Sequence, residues 1–228
     1  MLVLIPGLLC DDRLWSSQIA GLQTRADIVV ADITRQSTIS EMADDILRRS
    51  PGRFALAGFS LGSQVALQIM SVAGERVERL ALLSATRGGL PPAVGTAIQR
   101  AVNVIETRGL DEYLEQAFPT YVAVSNLGDA GLKRSFFDMA HSVGRDAGLR
   151  QMRALLALAT PFPNLHKISC PTVVIGGRED RRTTPHANEE LAREIPGSRL
   201  VMVDGGAHFT PLEQPEIVTD VLRRWLAA

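Results

Sequence analysis

The sequence predicts an α/β protein in which a doubly wound parallel sheet carries an all-helical insertion. Short apolar runs of strand length alternate with amphipathic helical segments at both ends of the chain, as in successive βα units. This alternation stops between residues 86 and 166, where only helical patterns occur. A serine flanked by glycines also stands where one strand passes into a helix. These three observations together indicate the fold.

Six segments have the pattern of strands in a parallel sheet. They are short apolar runs bounded by Gly, Pro or polar turn residues. Helical segments separate most of them, which implies parallel neighbours joined by right-handed crossovers. The predicted strands cover residues 2–5, 28–31, 54–57, 77–83, 172–175 and 199–203.

The helical segments fall into two groups. Those between strands or after the last strand are predicted at residues 16–24, 41–49, 63–70, 185–194 and 217–227, with Ser40 as the N-cap of the second. Those of the insertion are predicted at residues 93–107, 111–118, 127–141 and 148–158. We therefore divide the chain into a core of residues 1–85 and 167–228 and an insertion of residues 86–166. We expect the insertion to form a lid on the carboxyl-terminal edge of the sheet.

Composition excludes several classes of function. The chain has 228 residues, 46% of them apolar and 21% charged, and a net charge of −1. Such a balance suits a globular protein with a full core and offers no electrostatic basis for binding nucleic acid or an anionic membrane. The first residues lack the basic region and long apolar segment of a signal peptide, and no apolar run is long enough to span a bilayer. We expect a cytoplasmic protein that acts on a small molecule.

The two cysteines indicate no disulfide framework. Cys10 and Cys170 lie far apart in the sequence, and no Cys/His cluster has the spacing of a metal site. We interpret both as small, mostly buried thiols in a reducing compartment. No metal or cofactor is expected.

The candidate nucleophile is Ser60, at the centre of Gly58-Phe59-Ser60-Leu61-Gly62. The sharp turn between a strand and a helix lifts the hydroxyl of such a serine above the sheet edge. Side chains at positions 58 and 62 are expected to collide with neighbouring backbone. The alternative is an ordinary turn whose serine caps the helix.

The candidate general base is His208. It follows the strand at 199–203, and Gly205-Gly206 allows the loop to turn back over the sheet. A serine hydroxyl needs such a base to take its proton. The other three histidines stand on helical or insertion patterns, where a solvated or packed role is expected; they are His141, His166 and His186.

An acid must orient that histidine and stabilise its charged form. Asp180 is the candidate, because it follows the strand at 172–175 and completes the chain order Ser, Asp, His. Glu179, Asp204 and Asp32 are rivals, and Asp204 is expected instead to cap the turn that it begins. The candidate oxyanion donors are the N–H groups of Leu61, next after Ser60, and of Leu8, in the loop after the first strand.

With these motifs the chain resembles the α/β-hydrolase superfamily over its whole length. The resemblance is carried by residues 2–9, 58–62 and 177–180, by Gly205-Gly206-Ala207-His208, and by the following Pro211-Leu212-Glu213-Gln214-Pro215. Within the superfamily the chain looks like the small lidded carboxylesterases, such as the pimeloyl-carrier-protein methyl ester esterases. The usual His-Gly of the oxyanion loop is Pro6-Gly7 here. The usual N-terminal hairpin is missing, so about six strands are expected, all parallel.

The resemblance implies a serine hydrolase that cleaves a carboxylic ester without a cofactor. Thioesterases, lactonases, C–C bond hydrolases and perhydrolases share the same three residue types, so these remain alternatives. A receptor that binds a small ligand without turnover is the alternative from another class. The insertion also carries six arginines that either face solvent or hold a substrate carboxylate, namely Arg100, Arg108, Arg134, Arg145, Arg150 and Arg153.

Overall fold

A six-stranded sheet, parallel throughout, forms the centre of the computed structural model, which describes residues 1–227. Its order is β2-β1-β3-β4-β5-β6. The strands are β1 Leu2–Ile5, β2 Ile28–Val30, β3 Phe54–Phe59, β4 Val77–Leu83, β5 Thr172–Gly177 and β6 Arg199–Val203. The predicted α/β class and the six parallel strands are confirmed.

The central strands are buried on both faces because helices cover the sheet on each side. Every residue of β1, β3 and β5 is buried. The helices outside the insertion are α1 Ser16–Leu22, α2 Ile39–Arg49, α3 Leu61–Ala73, α8 Pro185–Glu194, α9 Thr210–Glu213 and α10 Pro215–Ala227. Among residues 1–227, every helix is too short or too polar to cross a bilayer.

The cap of α2 differs from its prediction. Thr38, not Ser40, caps this helix, because its hydroxyl accepts the N–H of Glu41 at 3.1 Å. The Glu41 carboxylate in turn accepts the N–H of Ser37 at 2.7 Å. The two bonds together satisfy N–H groups around the first turn of the helix, which therefore begins two residues earlier than predicted.

The insertion between β4 and β5 is helical, as predicted. Its helices are α4 Pro92–Arg108, α5 Leu110–Tyr121, α6 Ala130–Val143 and α7 Arg145–Leu156. The two ends of the insertion meet in an antiparallel bridge between Gly88 and Pro161, where the N–H of Phe162 donates to the carbonyl of Arg87 at 2.9 Å. The insertion thus leaves and rejoins the rest of the chain at one place.

Parallel strands present all their carboxyl ends at one edge of the sheet. β3, β4, β5 and β6 occupy four consecutive positions in the sheet, with β3 on one side of β4 and β5 and β6 on the other. The loops that carry Ser60, Asp180 and His208 therefore open on the same edge, while the loop carrying Asp32 follows β2 at the far margin of the sheet.

Candidate active site

Ser60 occupies a strained turn between β3 and α3. Its φ is 52° and its ψ is −111°, values that an L-residue adopts only when the surroundings impose them. The neighbouring backbone is so close that a Cβ on Gly58 would lie 2.3 Å from the Gly62 carbonyl oxygen. A Cβ on Gly62 would lie 2.3 Å from the oxygen of Ile5. The collision predicted for both positions is confirmed.

A chain of two hydrogen bonds links the three predicted side chains. The Oγ of Ser60 lies 3.0 Å from Nε2 of His208, and Nδ1 of His208 lies 2.8 Å from Oδ2 of Asp180. An ionised Asp180 only accepts hydrogen bonds, so Nδ1 carries the proton and donates it. Nε2 is then free to accept the hydroxyl hydrogen of Ser60. This is the arrangement that transfer of the serine proton to the imidazole requires.

Asp180 is fully enclosed by protein and stays suited to the ionised form. Burial by itself raises the pKa of this carboxyl. The charge and hydrogen bond of His208 outweigh burial, together with the N–H groups of Thr183 and Arg182, which donate to Oδ1 at 2.9 and 2.8 Å. The net result is a pKa below the usual value for aspartate. The buried carboxylate thus holds its negative charge beside the imidazole.

The three rival acids lie elsewhere. Asp204 is exposed and accepts a hydrogen bond from Nε of Arg178 at 2.5 Å, so its predicted role as the cap of its own turn is wrong. The Arg178 guanidinium binds this carboxylate by a charge-assisted hydrogen bond. Glu179 accepts the N–H of Val124 at 3.2 Å. Asp32 accepts the hydroxyl and N–H of Thr34 beyond the far strand of the sheet.

The imidazole of His208 is packed between aromatic rings. The ring of Phe59 packs against it at a tilt and the ring of Tyr121 makes a T-shaped contact, each with a centroid separation of 5.2 Å. The backbone of His208 is also held on both sides. Its N–H donates to the Tyr121 carbonyl at 3.0 Å, and its carbonyl accepts the Ser84 hydroxyl at 3.0 Å. The ring therefore has little freedom to leave the hydroxyl of Ser60.

Leu8 and Leu61, the predicted oxyanion donors, line the same cavity as Ser60. Leu61 is the first residue of α3, so its N–H has no partner within the helix. The loop of Leu8 is fixed by its neighbour Leu9, which has a φ of 56° and donates its N–H to Oε1 of Gln151 at 2.9 Å. Gln151 belongs to α7 and is fully buried, so the insertion holds this loop in place.

A cavity of about 790 Å³ lies above Ser60, between the sheet edge and the insertion. Its wall includes Ser60, His208 and mostly apolar side chains from three insertion helices, namely Ile98, Ala101, Val104, Tyr113, Ala117, Tyr121, Met152 and Leu155. Of the six insertion arginines, Arg100 alone borders this cavity within the described part of the chain. Arg153 pairs with Glu106 and Arg145 with Asp146, while Arg150 donates to the carbonyl of Thr34.

Three residues near the site carry no local signal that identifies their contacts. Gln151 and Tyr121 belong to ordinary amphipathic helices, and Glu213 stands in the motif after His208. Oε1 of Glu213 accepts the N–H of Ala123 at 2.6 Å and Oε2 accepts that of Ala207 at 2.9 Å, so this carboxylate joins the insertion to the histidine loop. Burial raises the pKa of Glu213 despite these bonds.

No group of three His, Cys, Asp or Glu side chains in residues 1–227 converges in a way that could hold a metal ion. Cys10 and Cys170 are both free thiols, the first buried and the second partly buried. Burial raises the pKa of Cys10 strongly, which leaves it a neutral thiol.

Comparison with known proteins identifies a family and several related chains. The model of the alpha/beta hydrolase family matches residues 2–221. The proposed carbamate hydrolase RutD of Rhizobium rhizogenes is 26% identical, over 100% of this chain and 92% of that protein. The pimeloyl-[acyl-carrier protein] methyl ester esterase of Nitrosomonas europaea is 24% identical, over 94% of this chain and 91% of that protein.

Solved structures share the fold at lower identity. A thermophilic esterase from Thermogutta terrifontis superposes with a TM-score of 0.89 at 23% identity, covering 99% of this chain and 89% of its own. The enol-lactonase from Burkholderia xenovorans superposes with a TM-score of 0.90 at 21% identity, covering 100% of this chain and 91% of its own.

Proposed function

The chain belongs to the alpha/beta hydrolase family, and on that premise we propose that it is a serine hydrolase that cleaves a carboxylic ester through an acyl-enzyme. Relatives in this family are hydrolases and esterases. The observation that carries the proposal is the chain of hydrogen bonds from Ser60 through His208 to Asp180, with its serine end in the wall of a cavity. An unassisted serine hydroxyl is a poor nucleophile, and this chain supplies the base that activates it.

In the acylation step the Oγ of Ser60 attacks the ester carbonyl carbon while its proton passes to Nε2 of His208. The carbonyl π electrons move onto the oxygen, which the N–H groups of Leu8 and Leu61 stabilise as an oxyanion. When the carbonyl re-forms, the C–O bond to the alcohol breaks and Nε2 returns the proton to the leaving alkoxide. Asp180 holds the Nδ1–H and stabilises the imidazolium between these two transfers.

Deacylation follows the same path with water as the nucleophile. His208 takes a proton from water as the oxygen attacks the acyl carbon, and gives it back to the Oγ of Ser60 as the acid leaves. The products are one carboxylic acid and one alcohol. The steps use groups of this chain and water.

The insertion, residues 86–166, acts in this proposal as a lid over a core of residues 1–85 and 167–228. Three of its helices supply apolar wall to the cavity, and its two ends meet at the bridge of Gly88 and Pro161. A wide apolar chamber favours an ester with a substantial hydrocarbon part. A small carbamate, the substrate type in the name of one relative, would leave most of about 790 Å³ unfilled.

The test is turnover of p-nitrophenyl butyrate together with labelling by a phosphonofluoridate. We expect many turnovers per protein and one label, on Ser60, and both are lost in Ser60→Ala. The matched control is Ser71→Ala, an exposed serine at the other end of α3, which keeps both. A single equivalent of product without further turnover would instead identify a receptor, and equal labelling of Ser60→Ala would show that another residue is the nucleophile.

A further inference from the structure

We propose that the natural ester carries a carboxylate group, and that Arg182 on the cavity wall binds it. This inference rests on the proposed hydrolase function and adds the charge of the substrate to it. Arg182 follows the candidate acid Asp180 by two residues, on the turn after β5. It was not among the arginines that the sequence singled out.

The charged residues of the cavity wall are predominantly cationic. Four arginines border the cavity against one acid, Glu190; they are Arg87, Arg100, Arg181 and Arg182. Arg87 forms an ion pair with Glu194 at 2.5 Å. The Oε1 atom of Glu190 lies 3.4 Å from Nε2 of His186. The remaining arginines are exposed to solvent and leave a net positive potential beside the apolar chamber, which attracts an anion.

Arg182 is held in place without a direct ion pair. Desolvation by its neighbours lowers its pKa, but the Tyr121 and Tyr113 side chains and the nearby Asp180 carboxylate outweigh this and raise the pKa. Its guanidinium carbon lies 4.1 Å from the centroid of the Tyr121 ring, and Nη1 donates to the hydroxyl of Thr120 at 3.1 Å. Within residues 1–227 no carboxylate lies at salt-bridge distance from this guanidinium. A guanidinium that is stacked on an aromatic ring and makes no ion pair is preorganised to bind a carboxylate in a fork of parallel hydrogen bonds.

Arg181, the preceding arginine, is engaged differently. Its Nη2 donates to the carbonyl oxygens of Pro119 and Val122, at 3.0 and 3.4 Å, and so ties the turn after β5 to the end of α5. These bonds satisfy backbone groups at the end of a helix, where a cation is favourable. Arg181 thus binds the backbone at the end of α5, whereas the contacts of Arg182 are with the side chains of Tyr121 and Thr120.

The position of Arg182 relative to the nucleophile suits one substrate molecule. The ring of Tyr121 contacts both functional groups, with one face under the guanidinium and a T-shaped contact with the imidazole of His208. The guanidinium is thus one aromatic ring away from the candidate base, in the wall of the same cavity as Ser60. Because Arg182 and Ser60 border one cavity, a single substrate molecule can contact both.

The test compares substrates that differ only in charge. Monomethyl adipate is paired with the methyl ester of adipamic acid, in which a neutral amide replaces the carboxylate at the same length. A second pair, carboxymethyl acetate and carbamoylmethyl acetate, places the charge in the alcohol half. Release of methanol or acid gives kcat/KM for each, and the ratio of charged to neutral ester within a pair is the readout.

We expect wild-type protein to favour the charged ester of at least one pair by about tenfold or more, the scale of a charge-assisted hydrogen bond. Arg182→Gln should lower this ratio about tenfold, through KM more than kcat. Arg178→Gln is the control, because this arginine is exposed, pairs with Asp204 and lies outside the cavity wall; its ratio should equal the wild-type ratio. Arg182→Lys, which keeps the charge without the fork, should retain part of it.

A merely structural Arg182 would slow both esters of a pair equally and leave the ratio unchanged, which would overturn the inference. Salt gives a readout that does not depend on a variant folding. Between about 0.02 and about 0.5 M NaCl the KM of the charged ester in wild type should rise while that of the neutral ester stays level. Ratios near one in both pairs would overturn the carboxylate inference but leave the proposed hydrolase function intact. Absence of Ser60-dependent turnover for every ester would overturn the proposed hydrolase function.

Discussion

The carbonyl oxygen of Tyr121 accepts the N–H of His208 at 3.0 Å, and so binds the end of α5 to the loop that carries the imidazole. The next N–H, from Phe209, donates to the same oxygen at 3.1 Å. Two backbone donors on one acceptor make the last turn of an insertion helix part of the support for the histidine. The insertion is thus joined to the site by fixed backbone bonds as well as by covering it.

Glu213 reinforces this junction, and Glu213→Gln should weaken it. The carboxylate accepts N–H groups on both oxygens, from Ala123 and Ala207, so an amide must turn its NH₂ toward one donor. We expect a loss of about 1–3 kcal/mol in the free energy of unfolding, the cost of an unsatisfied polar group. Urea denaturation measures it, with the exposed Glu216→Gln as the control. Equal midpoints for the two variants would show that the junction contributes nothing.

Asp180→Asn should lower kcat for a simple ester by several orders of magnitude. An asparagine NH₂ facing Nδ1 of His208 makes that nitrogen an acceptor, which puts the proton on Nε2 and leaves no base for Ser60. In chymotrypsin-type proteases the matching change lowers kcat on the order of 10⁴-fold. Asp204→Asn and Asp32→Asn should cost no more than about tenfold, since both carboxylates lie away from the imidazole. A larger loss in either would assign the orienting acid elsewhere.

The lowered pKa of Asp180 also predicts a pH dependence of stability. A carboxyl whose pKa is lower in the folded chain than in the unfolded one stabilises the fold above its unfolded pKa, about 3.9 for aspartate. This contribution disappears as the pH falls through the folded pKa. The difference in unfolding free energy between wild type and Asp180→Asn should therefore shrink as the pH falls below about 4. A difference that grows toward acid pH would mean that burial dominates and the pKa is raised.

Gln151→Leu should slow catalysis without removing any group that touches substrate. The variant keeps the size of the side chain but releases the N–H of Leu9, which is held at a positive φ. Relaxation of this loop displaces the neighbouring N–H of Leu8, for which a loss on the order of 10²-fold in kcat is the scale of one oxyanion donor. Gln23→Leu, at an exposed position after α1, is the control. An unchanged kcat would show that the loop keeps its shape without Gln151.

Gly62→Ala tests the close approach at the elbow. Its added methyl would lie 2.3 Å from the oxygen of Ile5, so β1 or α3 must move, at a cost of about 1–3 kcal/mol or more. Gly95→Ala, inside α4 with no atom within 4 Å of the added methyl, should instead be neutral or stabilising by about 0.5–1 kcal/mol. The thermal unfolding temperature should therefore fall in Gly62→Ala and stay level or rise in Gly95→Ala. A Gly62→Ala protein as stable as wild type would contradict the observed packing.

The sequence by itself determined the features that depend on local pattern. Apolar runs located the six strands, and the turn around Ser60 was identified because its glycines and its strand-to-helix setting are neighbours in the chain. The convergence of Ser60, Asp180 and His208 then followed, since parallel strands bring their carboxyl ends to one edge. The sequence determined the first and last residues of the helices and strands less well. Thr38 rather than Ser40 caps α2, because either hydroxyl suits the local pattern and the packed helix selects one.

The tertiary structure alone decided which distant side chains support the site. The bond from Leu9 to Gln151 spans 142 residues of sequence, and that from Ala123 to Glu213 spans 90. Gln151 is an ordinary residue of its helix, and the motif that contains Glu213 does not tell which distant N–H groups its carboxylate accepts. The same holds for Arg182, whose stacking on Tyr121 depends on how α5 is placed against the turn after β5. Such partners are set by the packing of whole helices, in which the position of one side chain depends on every residue buried between the elements.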